Sequence, residues 1–330
     1  MPINPSELER IDQAIKVQLD ILRHSAMVEA DILLVLTQMK QELVAKLAQG
    51  DITEWSRARL NQLLKDASAT IAEYYAKVQE ALAPTYATVA GVSAAQTAQA
   101  LAVTAPSRAV LEALVSNTLI EGAQLKAWWA RQSAETHFKF SAAVRQGIAQ
   151  GETLGQILKR ASEATDVITR SSMSVVHTSV MQVMNDATSE VIRQNADVAP
   201  KVRWLATLDS HTCPTCAPRD GLEWDTRTHR PIGHDLTYAD APLHINCRCV
   251  LIPVTRLTDA AESERASTFG SVSSKMTFAQ FLKRQSPEFQ DKVLGKGRAE
   301  LYRKGKITLR DLVSGKGAPL TLEQLNRKYE

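Results

Sequence analysis

Apolar residues recur at spacings of three and four near the start of the chain, at Leu8, Ile11, Ile15, Leu19 and Leu22, as on one face of a helix. This spacing predicts a helix over residues 6 to 49, opened by Ser6 and Glu9 as a capping box and stopped by Gly50. A second helix is predicted from Asp51, with Glu54 three residues on, through Leu60, Leu64, Ile71 and Val78 to the region of Pro84, making an antiparallel pair. The next stretch, TYATVAGVSAAQTAQALAVTAP at 85 to 106, is small, uncharged and weakly periodic, and reads as a connector or a loosely packed helix. Helical patterning returns from Ser107 to about Gln150, and again from about Thr153 to Asn195 after Gly147 and Gly151. The adjacent Trp128 and Trp129 point about 100 degrees apart on a helix, so one anchors an interface or both fill a wide buried face.

Around Pro200 the pattern changes. KVRWLATL reads as a strand and RCVLIPV at 248 to 254 as another, with prolines, glycines, cysteines and histidines between them. The expected fold is mainly α with a small α+β cysteine-rich module. Five segments follow: an N-terminal helical hairpin and connector (1–105), a helical lead-in (106–200), the cysteine/histidine-rich module (201–256), a Ser-rich linker (257–275) and a basic tail of short helices (276–330). Within the tail, Gly295 and Gly297 read as a helix stop followed by a new start, and Thr321 with Gln324 as the cap of the last helix.

A length of 330 residues with 44% hydrophobic and 23% charged residues gives a chain that folds into more than one unit. The start, MPINPSELER, has no apolar signal core, and the longest strongly apolar run, ILLVL at 32 to 36, is far short of the roughly 20 residues of a membrane span. Synthesis in the cytoplasm is therefore expected. The net charge of +3 is uneven, because residues 276 to 330 hold 12 Lys/Arg against 6 Asp/Glu. That excess offers phosphate contacts to DNA through Lys296, Arg298, Arg303, Lys304 and Lys306, or simply a solvated helical surface.

All four cysteines lie between residues 213 and 249. In a reducing compartment such a cluster points to metal rather than disulfides. Cys213 and Cys216 have zinc-knuckle spacing, and Pro214 stiffens the turn between them. Cys247 and Cys249 are two apart at the start of a strand and share a face. His244 is a competing ligand and His211 a more remote one, so four cysteines, or three cysteines with a histidine, would complete a structural zinc site. The alternatives are small buried side chains or a disulfide formed after lysis or in an extracellular particle. Asp209, Asp220 and Glu223 are acid or base candidates by proximity alone. His24, His137 and His177 read as ordinary residues of helices.

With these residues in order, Trp204, Asp209, TCPTC at 212 to 216, Gly221 and PLHINCRC at 242 to 249, the chain resembles the Mu F-like family of phage head morphogenesis proteins, also called minor head or minor capsid proteins. GETLGQILKRA and VVHTSVMQVMNDAT resemble the family's helical lead-in, although Ser172 to His177 lack an arginine-threonine pair often seen there, and the basic tail resembles an extension found in many members. The resemblance covers about residues 151 to 330. It implies a non-catalytic component of a tailed-phage head, located in the virion at the portal vertex in multiple copies. Its implied partners are the portal protein, major capsid or scaffolding protein, and packaged DNA, and its implied role is in head assembly or DNA packaging and ejection. The competing reading is a metal-dependent DNA nuclease with a zinc-knuckle-type site, in which His234 of GHD would be essential. Against it, the second cysteine pair is CxC and the Asp-His order is reversed.

Overall fold

The computed structural model describes residues 5–49, 57–255 and 264–329, with side-chain surroundings from Met27 onward. Its helices begin with α1 (Pro5–Ala48), α2 (Arg57–Leu101) and α3 (Arg108–Asn117). A two-residue hairpin, β1 (Leu119–Ile120) and β2 (Ala123–Gln124), leads to α4 (Leu125–Ala149) and α5 (Leu154–Gln194). The strands β3 (Lys201–Leu205), β4 (Glu223–Asp225), β5 (Pro231–Ile232) and β6 (Val250–Val254) follow. Next come a hairpin of β7 (Glu264–Ser267) and β8 (Gly270–Ser273), and helices α6 (Phe278–Lys283), α7 (Pro287–Leu294), α8 (Lys296–Arg303) and α9 (Leu322–Tyr329). None of the described helices is long and apolar enough to cross a membrane.

The chain divides into two compact units, one of residues 20–89 and 112–183, the other of residues 1–19, 90–111 and 184–330. Among its described residues the first is helical, with the small hairpin as its strands. Its α1 segment buries Ile32, Leu36, Met39, Leu43 and Leu47, and α2 buries Leu64, Ile71, Tyr75, Val78 and Leu82. Both stripes follow the three-and-four spacing that keeps one face on the core. Inside it Tyr75 joins three polar side chains: its hydroxyl lies 2.9 Å from Thr136 Oγ1 and 2.7 Å from Ser172 Oγ, and Ser172 donates to Gln132 at 3.2 Å.

Two local expectations are corrected. The small-residue stretch after Pro84 continues α2 without a break as far as Leu101, and Ala90, Ala94 and Ala98 are buried at four-residue spacing, so it packs as core. Pro84 costs one helical hydrogen bond, which a long helix held by burial on both sides tolerates. Residues 107 to 150 are not one helix: Glu121 and Gly122 both take left-handed backbone angles (φ 47° and 79°), the geometry of a tight two-residue hairpin turn. Trp129 is buried, whereas the partly exposed Trp128 donates its indole N–H to the Ile120 carbonyl at 2.9 Å, tying α4 to that hairpin. Gly50 and the start at Asp51, with the Ser6–Glu9 capping box, lie outside the described residues or side chains.

The second unit is built on an antiparallel sheet in the order β5-β4-β3-β6. On β3, Val202 and Trp204 face the core and Lys201 and Arg203 alternate outward, where both meet Glu223 of β4. Of the stretch read as a linker, residues 264 to 273 form the β7–β8 hairpin and 257 to 263 lie outside the described residues. The basic tail shares one apolar core with the cysteine module: Phe278, Phe281, Leu282, Val293, Leu294 and Leu309 cluster with Leu208 and Ala217. Gly295, at φ 78°, ends α7 and starts α8, and Thr321 and Gln324 cap α9 reciprocally, as their sequence positions suggest.

Candidate metal centre

Cys213 and Cys216 bracket a turn closed by the Cys216 N–H on the Cys213 carbonyl at 3.1 Å. His244 and Cys247 bracket a second one, with the Cys247 N–H on the His244 carbonyl at 3.0 Å. The first turn is followed by a single 3-10 turn at Ala217–Arg219, and the second feeds β6. Around them the sheet supplies a rigid floor. Asn185 of α5 donates to the Cys249 carbonyl at 3.3 Å and accepts from the Leu251 N–H at 3.2 Å, fixing the start of β6.

The four cysteines are unpaired thiols, and three of them are buried. His244 Nε2 lies 3.1 Å from the Cys213 sulfur and 3.3 Å from that of Cys216, while the Cys216 and Cys247 sulfurs are 3.7 Å apart. Two sets of ligand atoms come together, Cys213–Cys216–His244 and Cys216–Cys247–Cys249, and Cys216 belongs to both. Soft thiolates with an imidazole form a donor set that zinc accepts, so the cluster could hold a metal ion. A small recess opens onto it, lined also by Thr207, His211, Thr212, Asn246 and Arg248.

Protons are shared unevenly among these groups. The hydrogen bonds from Cys216 and then His244 draw the Cys213 thiol down to about 4, against burial. The same contact raises His244 to about 9, because its imidazolium is held by the Cys213 thiolate. Cys247 is lowered by hydrogen bonding from Cys216, and Cys216 is raised as the shared donor to Cys213 and Cys247. A divalent cation at this point would take the place of the protons that otherwise keep the sulfurs from repelling one another.

The nearby carboxylates are committed elsewhere. Asp209 pairs with Arg248 through both oxygens, at 2.5 and 2.7 Å, and accepts from the N–H groups of His211 and Thr212. Asp220 accepts from the backbone of Ala206 at 2.7 Å and Phe278 at 2.6 Å and from Arg265 at 3.0 Å. Glu223 bridges Lys201 and Arg203. His234 donates through Nε2 to the Glu223 carbonyl at 2.8 Å and accepts the Leu236 N–H on Nδ1 at 3.1 Å, so both ring nitrogens serve the loop after β5. Sequence reasoning passed over Arg219. It is buried, 5.5 Å from the Trp204 ring and 6.0 Å from that of Trp224, and donates to the Thr237 carbonyl at 2.9 Å.

The five cationic residues singled out in the tail are differently placed. Arg298 donates to the Leu320 carbonyl at 3.0 Å, Arg303 pairs with Asp291 at 2.7 Å and Lys304 with Glu300 at 2.6 Å. Lys296 and Lys306 are exposed.

Residues 139–252 match the family described as Phage Mu protein F like protein, about a third of the chain. The match runs from within α4 through α5 to β6 and takes in all five candidate ligands. No curated protein and no solved structure matches the chain.

Proposed function

We propose that this protein is a minor head, or head morphogenesis, protein of a tailed phage, because residues 139–252 match the family described as Phage Mu protein F like protein. In this reading it is a virion component without catalytic activity. It sits inside the capsid at the portal vertex in multiple copies, contacts portal and major capsid or scaffolding protein, and assists head assembly or DNA packaging and ejection. The observation that carries the reading is that the family match spans the whole of α5 and the cysteine module, the segment in which buried hydrogen bonds from Asn185 join helix to sheet. Zinc held at that module would act structurally, fixing two loops that have little core of their own.

Contact with packaged DNA falls to the tail surface. Lys296 and Lys306 would meet phosphate directly, while Arg298, Arg303 and Lys304 would first have to leave the partners they hold. Quantitative mass spectrometry of purified particles tests the assignment. A few to a few tens of copies per particle, measured against portal and major capsid protein, are expected; absence from mature particles would overturn the virion reading.

A further inference from the structure

The geometry points to a single ion held by Cys213, Cys216, His244 and Cys247, with Cys249 left outside the coordination sphere as a buried thiol. This rests on the proposal that the module binds zinc and decides among its five candidate ligands. The two turns are matched: each presents ligands three residues apart and is closed by an N–H of its last residue on the carbonyl of its first. Cys213 with Cys216 and His244 with Cys247 therefore form two equivalent clips, and two clips supply the four ligands that a structural zinc takes.

The imidazole orientation supports the set. A carbonyl can only accept, so His244 Nδ1 must donate to the Ile245 carbonyl 2.8 Å away, and Nε2 is the nitrogen turned to the sulfurs of Cys213 and Cys216. A ligating histidine has this arrangement, its far N–H tied to a backbone carbonyl. Two neutral lone pairs of sulfur facing a third lone pair at 3.1 and 3.3 Å would gain nothing, so that space suits a proton or a cation. The 3.7 Å between the sulfurs of Cys216 and Cys247 is close to the edge of a zinc tetrahedron, about 3.8 Å for Zn–S bonds of about 2.3 Å. Cys249 belongs to neither clip. Although its sulfur lies within 4.8 Å of those of Cys216 and Cys247, its own carbonyl is fixed by Asn185 where the chain enters β6, beyond the turn.

The test is cobalt(II) titration of the full chain, read by the visible d–d and thiolate charge-transfer bands, together with bound zinc per chain and far-ultraviolet circular dichroism. Wild-type protein is expected to take one ion per chain with the tetrahedral spectrum of three sulfurs and one nitrogen. Cys249→Ala should keep the stoichiometry and the band positions. His244→Ala should weaken binding about tenfold or more, and His244→Cys should restore it with bands moved to the four-sulfur position, which keeps the test informative if the alanine variant misfolds. Loss of the ion in folded Cys249→Ala, or an unchanged spectrum in His244→Cys, would overturn this ligand set while leaving zinc binding in place. Wild-type protein that takes up no ion would overturn zinc binding itself, and the ligand set with it.

Discussion

Arg248 stands between Cys247 and Cys249 in sequence and closes a two-pronged ion pair with Asp209, whose carboxylate also caps the backbone leading into Cys213. The two cysteine-bearing segments are thus clamped together from outside the cluster as well as within it.

Loss of this clamp should show in acid. Burial pushes the Asp209 carboxyl up, but Arg248 and the His211 N–H outweigh it and hold the group below the usual carboxylate range. A carboxyl depressed in the folded state contributes stability above its unfolded value, near 4, and gives it up as pH falls through the lower folded value. Asp209→Asn should cost about 1–3 kcal/mol at pH 7 in urea unfolding, and the gap to wild type should close as the pH drops below about 4.

Asp220 is a structural hub. Its side chain is 1% exposed and receives Arg265 together with two backbone N–H groups from separate segments. Removing it leaves the guanidinium of Arg265, only 12% exposed, with carbonyl partners but no opposite charge. Asp220→Ala should cost about 3–5 kcal/mol, and adding Arg265→Ala should cost less than the sum of the two single changes, measured by chemical denaturation.

Gly317 has φ 79°, and a Cβ there would lie 2.3 Å from Nη2 of Arg219. That guanidinium cannot swing away cheaply, because it is packed near two tryptophan rings and bonded to Thr237. Gly317→Ala should lose more than about 1 kcal/mol for the left-handed backbone alone and lower the melting temperature, whereas Gly315→Ala, with open space around its Cβ, should change it little.

In the helical unit, burial pushes the Tyr86 hydroxyl up to about 12 while it donates to Ser179 at 2.8 Å. The folded state then keeps a proton that the unfolded chain releases near pH 10. Stability should decline as pH rises from about 10 toward 12, and more steeply in wild type than in Tyr86→Phe, a difference read from thermal melts across that range.

What the sequence made legible tracks the range of the forces involved. Long helical stripes such as Leu64, Ile71 and Val78 declare themselves because their period is local, and the α7–α8 break at Gly295 needs only one residue to be read. The turn at Glu121–Gly122 was hidden because glutamate is a poor marker of left-handed backbone, and the hairpin it makes is too short for strand alternation to show. In the cysteine module, spacing indicated the candidate ligands. The partners of Asp220, at Arg265 and Phe278, are 45 and 58 residues away, so nothing nearby in the chain distinguishes it from a surface acid. Arg219 was missed for the same reason: a lone arginine after CxxC carries no mark of the two tryptophans and the late glycine that enclose it.

The contact between Arg219 and the loop at Gly315–Gly317 also sets an order of events during synthesis. Thr237 donates its N–H to the Gly315 carbonyl, and the guanidinium of Arg219 is covered by Gly317, which is made after the groups it covers. The last strand of the sheet ends at Val254, well before Gly317 is made, so the guanidinium of Arg219 lacks this cover until the loop follows. A chain arrested before that loop would carry all five candidate ligands while Arg219 is still uncovered, so completion of the segment at 139–252 waits on residues that lie outside it.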